Sequence, residues 1–175
     1  MNEIEVKILE IDSSKIESKL KELKAEKIFE GDVEWTVFDN PDKRFSKKEV
    51  LIRLRKLGKK TQFTIKRLLN TEQAKVSEEI ETEVSNYEAM EKALLLLGLT
   101  QKKGYPLKKH RISYTLKGVH FEIDTFPQFP TYLEIEAPSQ EIIEQYVNEL
   151  GFLPSDAKPW GTREVFSYYR TKSGR

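Results

Sequence analysis

Charged and apolar residues alternate strictly over Glu3-Ile4-Glu5-Val6-Lys7, the pattern of a half-buried β-strand rather than a helix. Successive side chains of a strand point to opposite faces, so Glu3, Glu5 and Lys7 share one face and Ile4, Val6 and Ile8 the other. The same period of two returns along the chain. Residues 28–39 read as a long strand, with Val33, Trp35 and Val37 alternating against Glu34, Thr36 and Phe38. Leu51-Ile52-Arg53-Leu54-Arg55 puts both arginines on one side, and after a turn at Gly58-Lys59-Lys60 the apolar Phe63 and Ile65 oppose Gln62, Thr64 and Lys66. Over 76–84, Glu79, Glu81 and Glu83 oppose Val76, Ile80 and Val84. A basic strand follows around 108–115, turning at Gly118. Phe121 and Ile123 then stand against Glu122 and Asp124, and Leu133 and Ile135 against Glu134 and Glu136.

A helical period interrupts this pattern at three places. Ser14 and Glu17 have capping-box spacing, near a start at Asp12 or Ser13, before a stripe of Ile16, Leu20 and Leu23. Ser85 and Glu88 form a second such pair before Met90, Ala93, Leu94 and Leu97, with Gly98 as the stop. Ser139 opens a third helix, with Ile142, Ile143, Tyr146, Val147 and Leu150 inward and Gly151 closing it. Residues 41–48 read as a basic loop, solvated or guarding an entrance. The tail beyond Ser155 holds Lys158-Pro159-Trp160-Gly161 and a short last helix.

About eight strands thus carry charge on one face and apolar residues on the other, with three amphipathic helices to cover the apolar faces. A flat sheet would expose its charged side to bulk water and leave its edges unpaired. Closure puts the charges inside and the apolar faces outward under the helices. The predicted fold is therefore α+β: a single domain over 1–175, a closed antiparallel eight-stranded β-barrel with flanking amphipathic helices. Glu-Ile-Glu at 3–5, 79–81 and 134–136 is either a relic of duplication or one local solution reached repeatedly.

Composition narrows the partners. With 30 basic against 29 acidic residues there is no global pull towards nucleic acid or a membrane. The absence of Cys excludes disulfides, thiolate metal sites and thiol catalysis, and two His argue against a His-rich metal centre. No apolar run approaches a membrane span, and Met1 leads directly into a strand rather than a signal sequence, so a cytoplasmic protein is expected. It is expected to be a monomer or homodimer.

The candidate chemistry lies on the charged parity. Neighbouring carboxylates such as Glu3 and Glu5 repel unless a cation sits between them, which suggests a hard divalent metal; a solvated outer face is the other reading of that stretch. Glu3-x-Glu5-x-Lys7, then Arg53-x-Arg55, Thr64-x-Lys66 and Glu134-x-Glu136, in that order, resemble the CYTH superfamily. These are the triphosphate tunnel metalloenzymes, which include class IV adenylate cyclases and thiamine triphosphatases. The resemblance runs from residue 1 to about 150. It implies that Lys7, Arg53, Arg55, Lys66 and Arg111 grip a triphosphate, while Glu3, Glu5, Asp124, Glu134 and Glu136 hold Mg²⁺ or Mn²⁺ directly or through water. The tail departs from the family pattern, ending Phe166-Ser167-Tyr168-Tyr169, so Lys158 and Arg163 receive no role.

Guanidinium forks suit phosphate oxygens, and Mg²⁺ takes few carboxylates beside phosphate and water. Glu134 or Glu136 is the expected group for orienting an attacking water. The expected activity is metal-dependent hydrolysis of inorganic tripolyphosphate, a nucleoside triphosphate or thiamine triphosphate. The alternatives are a cyclase making cyclic AMP and pyrophosphate from ATP, and a polyphosphate- or nucleotide-binding module without turnover. Lys109 shares the face of Arg111, as ligand or lining, whereas Lys108 has the opposite parity. Glu81 and Glu122 either balance neighbouring cations or bind metal. For His110 and His120 a surface or packing role is favoured, and for Trp35 and Trp160 rim packing over base stacking.

Overall fold

Among the described residues ten strands form one sheet: β1 (Asn2–Ile8), β2 (Glu26–Asp39), β3 (Val50–Leu57), β4 (Lys60–Asn70), β5 (Lys75–Val84), β6 (Thr100–Gln101), β7 (Leu107–Leu116), β8 (Val119–Phe126), β9 (Phe129–Ala137) and β10 (Ala157–Lys158). The structure, a computed structural model, describes residues 2–70, 72–105 and 107–172; Met1, expected to lead into the first strand, lies outside them. The strand order β1-β5-β4-β3-β2-β7-β8-β9 returns to its start because β1 also pairs with β9, so eight strands close into an antiparallel barrel. The short β6 adds to β2 and β10 to β1. Five α-helices among the described residues complete the α+β fold: α1 (Ser13–Glu22), α2 (Arg44–Lys47), α3 (Tyr87–Leu96), α4 (Gln140–Glu149) and α5 (Thr162–Lys172). Among the described residues no helix is long and apolar enough to cross a membrane.

The chain separates into two compact units. One, here the middle unit, comprises Gly31–Leu68 and Ser77–His110; the other, the terminal unit, comprises Asn2–Glu30, Leu69–Val76 and Arg111–Arg175.

In the terminal unit the ladders align apolar rows: Val6 with Ile135, Ile8 with Leu133, Phe121 with Ile135 and Ile123 with Leu133. Ile16 and Leu20 of α1 and Ile143, Tyr146 and Val147 of α4 cover those rows, and the Tyr146 ring meets Phe121 edge-on at 5.2 Å. Truncating one such residue to Ala costs about 2–5 kcal/mol through lost burial and the cavity left behind. Helix α1 is capped by Asp12, whose carboxylate accepts from Lys15 N, and not by a Ser14–Glu17 box. Ser14 instead donates to Asp12, and Glu17 accepts from the Tyr114 hydroxyl at 2.8 Å. Helix α4 begins at Ser139 as expected and ends where Gly151 takes φ 80°, a left-handed turn that L side chains resist.

In the middle unit Phe38, Ile52 and Leu54 pack against Tyr87, Leu94 and Leu99. Asn86 caps α3, one residue later than the expected Ser85. The buried stripe is consequently Tyr87, Met90 and Leu94, and Leu97, expected inside, is 77% exposed. Ile80 of β5, also expected in the core, is 65% exposed. Residues 41–48 are not a plain loop. Asp39 accepts hydrogen bonds from Phe45 N (3.0 Å), Ser46 N (3.1 Å) and the Ser46 hydroxyl (2.5 Å), which folds them into α2. Burial acts to raise the Asp39 pKa, yet these donors hold it below the usual carboxylate range.

Strand β2 reverses the expected parity. Its register sets Trp35 opposite Arg55 and Val37 opposite Arg53, so these apolar side chains leave the sheet on the arginine face. Thr36, from the polar set, receives the Tyr87 hydroxyl at 2.9 Å on the helix side. Alternation identified the strand correctly, but composition assigned its faces wrongly.

Candidate functional site

Cross-strand partners in an antiparallel pair project to the same side. The terminal-unit register sets Lys7 opposite Glu134 and Glu5 opposite Glu136. It also sets Glu122 opposite Glu134, His120 opposite Glu136 and Asp124 opposite Tyr132. All these residues therefore occupy the face turned away from α1 and α4, and Glu3 falls on it by the alternation of β1. Burial there is deep: Lys7 is 1% exposed, Asp124 0%, Glu5 4% and Arg111 7%.

Buried charges persist only when paired, and these are paired densely. Lys7 Nζ stands 2.5 Å from Glu134 Oε2 and 3.3 Å from Glu5 Oε1, while Lys75 Nζ holds Glu5 Oε1 at 2.6 Å. Arg111 forks onto Asp124 through Nε and Nη2, both at 2.7 Å, and reaches Glu134 Oε1 and Glu122 Oε2 at 3.5 Å. Burial opposes the guanidinium charge, but Asp124, Glu122 and Glu134 together keep Arg111 well above its ordinary pKa. Glu122 is shifted upward, because burial outweighs Arg111 and the hydrogen bond donated by the Ser113 hydroxyl.

The middle unit holds a looser cluster. Arg55 donates to Gln62 Oε1 (2.9 Å) and to Glu81 Oε2 (3.1 Å). Arg53 Nη2 lies 3.7 Å from Glu79 and 3.8 Å from Glu81, and Lys66 Nζ lies 3.1 Å from Glu79. Thr64, directly opposite Arg53, ties it to Glu81 by hydrogen bonds of 3.3 and 3.0 Å. Lys109, 8% exposed, sets its ammonium 5.5 Å from the centre of the Trp35 ring. Lys108 faces the other way, 2.7 Å from Glu34, and His110 makes an exposed contact with Asp32 at 3.0 Å.

Of the residues singled out in the sequence, Glu5, Lys7, Arg111, Asp124 and Glu134 thus join in one network, with Glu136 directly across from Glu5. Arg53, Arg55 and Lys66 join in another. Sequence reading missed Lys75, although its parity with Glu79 and Glu81 on β5 was a usable signal. It also missed Glu79 as the partner of two cations, and Tyr132, whose even spacing from Glu134 and Glu136 places it on their face. Lys158, left without a role, stands opposite Lys7 in the β10–β1 pair and donates to Ser155 O at 2.7 Å.

The donor set suits a hard cation. Glu5, Asp124 and Glu134 offer only oxygen, and Mg²⁺ needs one or two carboxylates when phosphate and water complete its shell. Among the described residues no three acidic or histidine side chains already converge at metal-binding geometry, in keeping with carboxylates that now hold ammonium and guanidinium groups.

The CYTH domain model matches residues 1–154. None of the curated proteins matches the chain. The PH1012 protein of Pyrococcus horikoshii OT3 is 26% identical, with a TM-score of 0.77 over 93% of this chain and 98% of that one. A candidate adenylate cyclase from Vibrio parahaemolyticus shares the fold at 16% identity and a TM-score of 0.78, over 94% of this chain and 97% of its own. HpAC1 from Hippeastrum, a candidate adenylyl cyclase with a dominant triphosphatase activity, does so at 17% identity and a TM-score of 0.62, over 99% of this chain and 96% of its own. With the closed barrel and its ordered charge pairs, the match over residues 1–154 makes this chain a member of the CYTH domain family.

Proposed function

We propose that the protein is a metal-dependent triphosphate phosphohydrolase, in which residues 1–175 act as one catalytic domain in the cytoplasm, as monomer or homodimer. CYTH proteins are metal-dependent, and Mg²⁺ or Mn²⁺ is the proposed ion here. The substrate class is inorganic tripolyphosphate, a nucleoside triphosphate or thiamine triphosphate. The observation that carries this reading is the buried network of Lys7, Arg111 and Lys75 with Glu5, Asp124 and Glu134.

In that network every cation is held by a carboxylate that a phosphate oxygen can replace. Lys7 and Arg111 are the proposed phosphate ligands of the terminal unit, and Arg53, Arg55, Lys66 and Lys109 those of the middle unit. Guanidinium forks match phosphate oxygens in pairs, and their low exposure strengthens each contact. Transfer of Lys7 and Arg111 to phosphate leaves Glu5, Asp124 and Glu134 with free oxygen lone pairs, and these, with Glu3 and Glu136, are the proposed metal ligands. A bound divalent ion would neutralise phosphate charge and make a water more acidic. Glu134 and Glu136 are proposed to orient that water and accept its proton, the remaining catalysis being positioning and charge stabilisation.

The deciding experiment is product analysis with ATP and tripolyphosphate under Mg²⁺ and Mn²⁺, resolving phosphate, pyrophosphate and cyclic AMP. Phosphate released from tripolyphosphate is the expected result. Equal yields of cyclic AMP and pyrophosphate from ATP would replace hydrolysis by cyclisation, and binding without products would leave an anion-binding module.

A further inference from the structure

One buried group has no part in the network described above. Tyr132 stands opposite Asp124 in the β8–β9 ladder, so its side chain leaves the sheet on the charged face. It is 0% exposed. Its ring lies beside Phe126 and Phe129, with centroids 6.1 and 6.4 Å away, and Lys7 Nζ is 5.9 Å from its own centroid. An aromatic floor and an ammonium group therefore hold the ring in place. The hydroxyl makes no hydrogen bond of ordinary geometry among the described residues. The Thr162 side chain lies near it, and Asp124, Glu134 and Arg111 are its charged neighbours.

Folded chains rarely keep a buried donor that nothing satisfies, and phenylalanine would fill the same volume without an orphaned hydroxyl. A missing acceptor next to Lys7 and Arg111 points to an anion, since those two cations already draw negative charge to this face. Resting on the triphosphate reading above, we propose that Tyr132 is a further substrate-binding residue, whose phenolic O–H donates a hydrogen bond to a phosphate oxygen of the bound polyanion. A neutral donor adds a directed contact without adding to the repulsion among cations in the empty site.

The test compares the full-length protein with Tyr132→Phe and Thr162→Val, measuring ligand-free melting temperature and metal-free affinity for inorganic tripolyphosphate by calorimetry. Tyr132→Phe is expected to be at least as stable as the parent without ligand, yet to bind tripolyphosphate about tenfold more weakly, the loss of one hydrogen bond to a charged group. Thr162→Val is expected to keep the parent affinity. Parent-like binding by Tyr132→Phe overturns the proposal, because an ordered water or Thr162 then satisfies the hydroxyl. So does a drop in its ligand-free stability, because the hydroxyl then has its partner in the empty protein. Failure of the parent protein itself to bind tripolyphosphate is a distinct result, which removes the triphosphate reading and this role with it.

Discussion

The two charge clusters use the same residue types under different conditions. In the terminal unit the Lys7–Glu134 and Arg111–Asp124 pairs are 2.5 and 2.7 Å long, with side chains between 0 and 12% exposed. In the middle unit the pairs of Arg53, Arg55 and Lys66 with Glu79 and Glu81 run from 3.1 to 3.8 Å, with side chains between 12 and 30% exposed. Water and salt screen the second set, so each pair contributes little and each partner is replaceable. The first set is desolvated, so every member depends on the others: removing one leaves an uncompensated buried charge. Under the proposed function the terminal-unit cluster would combine stability with binding, whereas the middle-unit cluster would be free to serve binding alone.

Arg111→Ala should have the largest effect. It strands the fully buried Asp124, and a loss of about 3–5 kcal/mol is expected. For a domain of this size each kcal/mol moves the melting temperature by roughly 2–4 °C, so a shift of roughly 6–20 °C is expected in calorimetry. Arg53→Ala should cost no more than about 1 kcal/mol by the same measurement. Equal losses in the two variants would erase the distinction between the clusters.

Activity sharpens the same contrast. Glu134→Gln and Glu136→Gln should each lower turnover by roughly 10–100-fold if they act on metal and water, and EDTA should abolish turnover until Mg²⁺ or Mn²⁺ is restored. Glu81→Gln in the middle unit should leave steady-state turnover within a few-fold of the parent. Undiminished activity in a metal-free preparation would sink the mechanism.

Ligand stabilisation comes next in size. Tripolyphosphate at about one hundred times its Kd should add about 2.7 kcal/mol, or roughly 5–11 °C in melting temperature, with AMP and sulfate well behind. Replacing Arg53 and Arg55 together by Ala should remove most of that shift while barely moving the ligand-free melt. An undiminished shift in the double variant would show that these forks do not bind the anion.

A last contrast lies in pH dependence, where the units should differ in sign. Asp39 has a depressed pKa, so its contribution is present above the ordinary carboxylate value near about 4 and is lost as pH falls through the lower folded value. Asp39→Asn should accordingly cost about 1.5–3 kcal/mol at neutral pH, a gap that closes in strong acid. Glu122 is shifted upward, so its favourable contribution exists below its unfolded value and disappears as pH rises through the folded one. Glu122→Gln should therefore gain stability relative to the parent as pH rises. Parallel pH–stability curves for the two variants would contradict this opposition.

Much of the barrel was legible because strand parity is a local property. Alternation over Glu3–Lys7, 51–55 and 133–136 identified strands and their two faces, and Asp124 followed from the same rule, whereas Arg111 came from the family resemblance. The first helix start was legible as Asp12 or Ser13, and Asp12 is the cap, but the start at Asn86 was read one residue early at Ser85, since Ser, Asp and Asn cap almost equally well and tertiary packing chooses among them. Parity failed on β2, where hydrophobicity is a poor guide to direction once both faces are buried.

The sequence by itself determined which residues could share a face, because an extended backbone turns successive side chains to opposite sides with a period of two. It determined the charge balance, the absence of thiol chemistry and the ordered set of residues on which the CYTH resemblance rests. Only the tertiary structure decided which faces meet. Register set Lys7 against Glu134, Arg111 was forked onto Asp124, and Lys75 was carried to Glu5 across a separation of 70 residues. These pairings depend on how strands are ordered around a closed sheet, and that order is set by the packing of non-local apolar rows. No local window of the sequence contains both partners of Lys7–Glu134 or of Lys75–Glu5, and so no local rule can assign those two.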